Sequence, residues 1–220
     1  MTQLFRRSFI QHAAAALGAV AMLAAAPWAH AADEAPDAMI KRLSADVLDL
    51  IRSDKTLQSG DITRVMEVVD SKIMPNVNFL RMTASATGPG WRQATPEQRQ
   101  KLQQEFKTLL VRTYAGALRQ VSDQTIEMRP LRANESDKEV LVRTLVKGRG
   151  EPVQLDYRLE KTPGQGAGWK IYDLNVAGIW LVDTYRPQFA QQINANGIDG
   201  LIASLVERNQ ANANASASAR

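Results

Sequence analysis

The chain of 220 residues has no cysteine and only two histidines, His12 and His30. Both histidines fall within residues 1–31, which read as a removable export signal. Arg6 and Arg7 supply its positive start, residues 13–26 a mildly apolar middle, and Ala29-His30-Ala31 a small-x-small cleavage site, so cleavage is expected after Ala31. The apolar stretch is shorter than the ~20 residues that span hydrocarbon and is interrupted by Pro27, which argues against a membrane anchor. Arg6-Arg7-Ser8-Phe9-Ile10 also matches a twin-arginine signature, but paired arginines occur in ordinary signals, and both export routes stay open. Once the signal is gone the chain holds neither imidazole nor thiol. Zinc and copper sites, Ser-His-Asp and Cys-His nucleophilic catalysis, and disulfide stapling all lose the residues they need. Stability must come from an apolar core, and a chain of this length can build one.

A strongly charged run is also missing. The signal carries two arginines and no acid, so its removal lowers the formal charge from +4 to +2. The remaining Lys and Arg are scattered among acids without interleaved aromatics, which gives no nucleic-acid footprint. No spacing of acids fits a calcium loop, and Glu135, Asp137 and Glu139, interleaved with Ser136 and Lys138, read as a solvated turn before a strand.

What the chain does have is periodicity. Ile40, Leu43, Val47, Leu50 and Ile51 recur at helical spacing over 37–53, and Ile62, Val65, Met66, Val69 and Ile73 over 61–74, ending at Pro75. A short segment from Phe79 to Thr87 ends in Gly88-Pro89-Gly90. Thr95-Pro96-Glu97-Gln98 then combines an N-cap, a first-turn proline and a capping-box glutamine before a long helix bearing Leu102, Phe106, Leu109, Leu110, Tyr114, Ala117, Leu118 and Val121. Beyond residue 124 the period changes to two. Segments 125–132, 139–147, 152–161 and 168–176, separated by glycine-rich turns, predict a four-stranded antiparallel meander. Helices first and strands afterwards describe an α+β fold with helices covering a twisted sheet. A helix over 178–195, a stop at Asn196-Gly197, a last helix around 199–209 and a polar tail over 211–220 complete one domain, 32–210.

The ordered set of motifs resembles a known family. Val68-Val69, Ile73-Met74-Pro75, Phe79, the break at Gly88–Trp91, Thr95-Pro96-Glu97-Gln98-Arg99, Phe106 and Tyr114 are followed by Trp169-Lys170-Ile171-Tyr172-Asp173, Gly178, Tyr185-Arg186, Gln188-Phe189 and Gly197-Ile198-Asp199-Gly200-Leu201. In order and spacing, from about residue 38 to 207, this is similar to the MlaC-type periplasmic phospholipid carriers, the toluene-tolerance auxiliary proteins of an ABC transport system. Trp180 stands where the family commonly has a small serine, and Pro187 interrupts the Arg-x-Gln-Phe helix. The resemblance implies an NTF2-like sheet enclosing an apolar cavity, a diacyl phospholipid as cargo with no cofactor, and periplasmic localisation. It also implies two docking partners, an outer-membrane lipoprotein complex and an inner-membrane ABC transporter through its substrate-binding subunit.

The physical task accounts for such a cavity, because each acyl CH₂ is worth ~0.8 kcal/mol when shielded from water. Helical stripes and apolar strand faces together nominate the lining: Val69, Ile73, Phe79, Leu110 and Tyr114 from the helices, Val142, Leu155, Tyr157 and Ile171 from the sheet, and Ile179, Trp180, Val182 and Phe189 from the closing helix. Arg143 and Arg186 are the candidate headgroup ligands, since a guanidinium matches a phosphate with several donors. Two rivals remain. One is an enzyme of the same fold using Asp173 with Tyr172 or Tyr157, although a turn-capping or strand-end role is the better account of that aspartate; the other is a protein-binding adaptor with an exposed apolar groove.

Overall fold

Prolines and capping side chains set where the helices begin. In the computed structural model, which describes residues 34–134 and 136–218, α1 (Pro36–Ser53) starts on a proline. The short α2 (Lys55–Gln58) is capped by the Asp54 carboxylate, which accepts from the backbone amides of Thr56 and Leu57. The Asp61 side chain accepts from the Arg64 amide to open α3 (Ile62–Val68). Instead of running on to residue 74, α3 passes into a π turn, Val69–Ile73, and a 3₁₀ turn, Met74–Asn76. Pro75 supplies no amide and forbids a regular continuation, so the helix loosens as it approaches.

Asn78 caps α4 (Phe79–Thr87), which ends at Gly88 with φ 66°. A single helical turn, α5 (Gly90–Gln93), follows. The expected capping box opens α6 (Pro96–Tyr114): the Thr95 amide donates to Gln98 Oε1 at 2.9 Å and the Gln98 amide to Thr95 Oγ1 at 3.2 Å. Each is an otherwise orphaned helix-end donor.

The second half is an antiparallel sheet of five strands in sequence order: β1 (Thr125–Met128), β2 (Glu139–Lys147), β3 (Val153–Lys161), β4 (Trp169–Val176) and β5 (Ile179–Trp180). The four-strand prediction is therefore one strand short. Ile179 and Trp180 do not begin the closing helix. Ala177 (φ 52°) and Gly178 (φ 89°) form a two-residue turn that pairs Val176 with Ile179 and Asn175 with Trp180. Both turn residues have left-handed φ, the geometry that matches strand twist in tight hairpins.

The closing helix, α7 (Leu181–Ser218), is two helical runs joined at Gly197, whose φ of 69° and ψ of −171° break the spiral at the predicted stop. Residues 211–218 continue it, where the sequence predicts a structureless tail. Their alanines have the highest helix propensity, and elongating an existing helix avoids the cost of a new nucleus. The proposed signal, residues 1–31, lies outside the described residues, as do Glu135 of the acidic turn and the last two residues.

Candidate functional site

Three apolar clusters hold the fold. Helix α1 lays Met39, Ile40 and Leu43 against Val140, Val142, Tyr157, Leu159, Trp169 and Ile171 of the sheet. Phe106 of α6 centres a second cluster, 5.7 Å from the Phe79 ring, 5.0 Å from Tyr185 and 5.1 Å from Phe189 by ring centroids. Ile51, Leu57, Val65, Val68, Val111 and Ala115 form the third. Val77 packs against the first and second, and Val47 against the first and third.

The nominated lining residues are divided among these clusters. Val142, Tyr157 and Ile171 are buried in the first, with Leu155 and Ile73 partly buried beside it. Phe79, Val182 and Phe189 are buried in the second, with Leu110 beside it, and Val69 packs on the third. The π turn separates Val69 from Ile73 so that each meets a different cluster. Tyr114 is at the surface beside Tyr185. A fully buried side chain such as Val142, 1% exposed, is packed over its whole surface and presents no free face.

The register shows which side chains keep such a face. On the sheet surface that carries Val142 and Tyr157, α1 covers one end. At the other end Ile126 faces Val146, Val146 faces Val153, and Leu155, Val176 and Ile179 stand side by side across β3, β4 and β5. All six are apolar and none is buried; Val153 is 43% and Ile179 55% exposed. They form a shelf that continues the first cluster outward. Leu155 and Ile179 were nominated from sequence, whereas Ile126, Val146, Val153 and Val176 were not. The alternation of β2 and β3 already placed Val146 and Val153 on this face, but nothing in sequence told which end α1 would leave bare.

Three nominated residues lie elsewhere. Trp180 pairs with Asn175 and so occupies the opposite sheet surface, where the Arg158 guanidinium stacks 3.9 Å from its ring centroid. Arg143 pairs with Asp156, also on that surface, because neighbours along a strand alternate. Arg186 is exposed on α7 and donates from Nε to the Ser85 carbonyl at 3.0 Å. Neither arginine is presented by the shelf.

Asp173 has a structural task. Its carboxylate accepts from the backbone amides of Leu174 (2.9 Å) and Val182 (3.1 Å) and pairs with Arg158 at 2.9 Å, so it holds the start of α7 to the sheet. Burial nevertheless pushes its carboxyl above the usual aspartate range, outweighing the amides and Arg158.

Burial also pushes the Tyr157 phenol up to about 12, although the hydroxyls of Ser44 and Thr144 hydrogen-bond with it. The folded state thus keeps a proton that the unfolded chain releases near pH 10. The stabilisation is complete below pH 10 and is lost as pH rises towards about 12. Denaturant titrations across that window should show a decline on the order of 2 kcal/mol that Tyr157→Phe abolishes; an identical decline in both proteins would assign it to other groups.

The family model described as MlaC protein matches residues 41–207. The chain belongs to the MlaC family. It is 26% identical over 183 residues to the toluene tolerance protein ttg2D of Pseudomonas putida, covering 83% of this chain and 84% of that protein. It is 23% identical over 176 residues to the intermembrane phospholipid transport system binding protein MlaC of Haemophilus influenzae, covering 79% and 82%. A solved structure of a phospholipid-binding protein from Ralstonia solanacearum, in complex with a phospholipid, is 48% identical. It superposes with a TM-score of 0.77 over 80% of this chain and 98% of that one.

Proposed function

We propose that this protein is a periplasmic phospholipid carrier, exported by a signal cleaved after Ala31, which shields acyl chains against the inner sheet surface. It passes its cargo between an outer-membrane lipoprotein complex and the substrate-binding subunit of an inner-membrane ABC transporter, so maintaining the asymmetry of the outer membrane. The observation that carries this reading is the row of six apolar side chains, from Ile126 to Ile179, left unburied beside a packed core. The phospholipid in the 48% identical relative supports it. Folding gains nothing from leaving that surface bare, whereas an acyl chain laid on it gains ~0.8 kcal/mol per methylene.

Shielding needs no bond-making group. The one aspartate that the sequence offers as an acid is already engaged by two amides and a guanidinium. Without a cofactor, delivery rests on affinity differences between stations, and a loose grip on the headgroup favours it.

Native mass spectrometry of gently purified protein tests the reading. The expected spectrum carries an adduct with the mass of one diacyl phospholipid, lost on denaturation. Protein that emerges empty, and takes up no lipid when incubated with phosphatidylethanolamine and phosphatidylglycerol vesicles, would overturn it.

A further inference from the structure

The opposite surface of the sheet holds a second feature that the carrier reading does not use. A cleft of about 410 Å³ opens there, lined by Arg129, Arg132, Arg143, Gln154 and Asp156, with Pro130 and Leu145 as its apolar walls. Its floor follows from strand register. The Arg129 amide donates to the Arg143 carbonyl at 2.9 Å, which sets these two arginines opposite each other across β1 and β2, and Arg143 in turn pairs with Asp156 on β3. Like charges placed directly opposite destabilise a sheet unless something compensates them.

Compensation within the chain is incomplete. Arg129 meets Glu127 at 3.2 Å. Asp156, 3% exposed, is satisfied by the Thr144 amide at 3.1 Å and by Gln154 Nε2 at 2.5 Å, and among the described residues it makes no ion pair. Among the described residues Arg132 and Arg143 have neither an ion pair nor a hydrogen bond from their guanidinium groups, whereas Arg42, Arg64, Arg81 and Arg158 each grip a carboxylate. Two forked cations whose donors meet no partner among the described residues therefore border one concave site.

We propose that this cleft docks an acidic segment of a partner protein, with its carboxylates received by Arg132 and Arg143. Charge complementarity selects the sign, and the planar guanidinium fork selects a carboxylate geometry. The walls select a side chain over a bare anion: the methylenes of a glutamate would lie on Pro130 and Leu145, which a free phosphate leaves uncovered. Concavity selects a protruding chain over the flat plane of a bilayer. Buried Asp156 limits the depth of entry by repelling an anion that passes the arginines. The surface lies across the sheet from the apolar shelf, so a partner can engage it while the shelf is occupied.

Fluorescence anisotropy of a labelled hexaglutamate peptide, titrated with the full-length protein as purified, tests this. Binding should saturate, weaken as salt rises towards ~150 mM, and fall at least tenfold in the Arg132→Ala/Arg143→Ala double variant. Lipid occupancy by native mass spectrometry should be equal in both proteins. Equal binding of a hexaglutamine peptide, or undiminished binding by the double variant, would overturn the proposal. Inorganic phosphate competing at the peptide's own concentration would replace it with a small-anion site. Adsorption to phosphatidylglycerol vesicles that the double variant loses, without peptide binding, would replace it with a membrane contact. Lipid occupancy is read independently, so an empty protein that still binds the peptide refutes the carrier and leaves the cleft intact.

Discussion

Replacing Phe106 with alanine is expected to cost about 3–5 kcal/mol of unfolding free energy, the range for deleting a large buried aromatic. The ring is wholly buried and touches Phe79, Tyr185 and Phe189, two of them edge to face. Such pairs add about 0.5–1.5 kcal/mol each beyond area burial. These partners come from α4 and α7 and Phe106 itself from α6, so one truncation loosens three helices at once. In a denaturant melt the midpoint should drop sharply, whereas Leu80→Ala, at a position 55% exposed, should stay within about 0.5 kcal/mol of the parent. A loss under 1 kcal/mol for Phe106→Ala would mean that the aromatic cluster is not what holds these helices together.

The second large effect concerns cargo. Leu155→Lys and Val176→Lys each place an ammonium on the apolar shelf, at positions that are half-buried and therefore able to keep the charge wet without unfolding the sheet. Each acyl methylene kept off the shelf forfeits ~0.8 kcal/mol, so displacing three or four costs on the order of 3 kcal/mol, about a hundredfold in affinity. Phospholipid occupancy in the native mass spectrum should collapse while circular dichroism and the melting midpoint change little. Leu141→Lys, on the other sheet surface, is the matched control and should keep its lipid. Normal occupancy in both shelf variants would move the acyl site away from this end of the sheet. Val142→Lys would be a poor probe, because that side chain is buried under α1 and its replacement attacks the core.

Much of the architecture was legible in periodicity. Thr95 and Gln98 announced the start of α6, Gly197 the break in α7, and the alternation over 139–147 and 152–161 the strands β2 and β3. These signals are local: each depends on residues within a turn or two of one another. The misses have non-local causes. The hairpin at Ala177-Gly178 lacks the asparagine or aspartate that usually marks such a turn, so Ile179 and Trp180 read as helix. Which large apolar residues are core and which remain free for a ligand depends on where α1 lands, and Val142 and Val146 are written alike until then. Arg143 was placed correctly by alternation, on the face of Leu141 and Leu145 and opposite Val142.

The pairing of β4 with β3 is irregular at one point. Arg158 pairs with Asp173 and Leu159 with Ile171, which leaves Tyr172 as a supernumerary residue between them. A strand counts in twos, so one extra residue reverses its parity. Before Tyr172 the odd-numbered residues Trp169 and Ile171 lie on the sheet surface that α1 packs against; after it the even-numbered Leu174 and Val176 lie on that same surface, Val176 on the shelf beyond α1. A single residue thus works as a phase shifter. It lets one eight-residue strand supply two inward apolar pairs while sending Asp173 and Asn175 to the other side, where one anchors α7 and the other receives the Gly178 amide. Straightening the bulge, with Tyr172 kept as an ordinary strand residue, would leave the composition of the strand intact and yet exchange its two sides from that point on, turning aspartate and asparagine towards the shelf and leucine and valine towards the arginines.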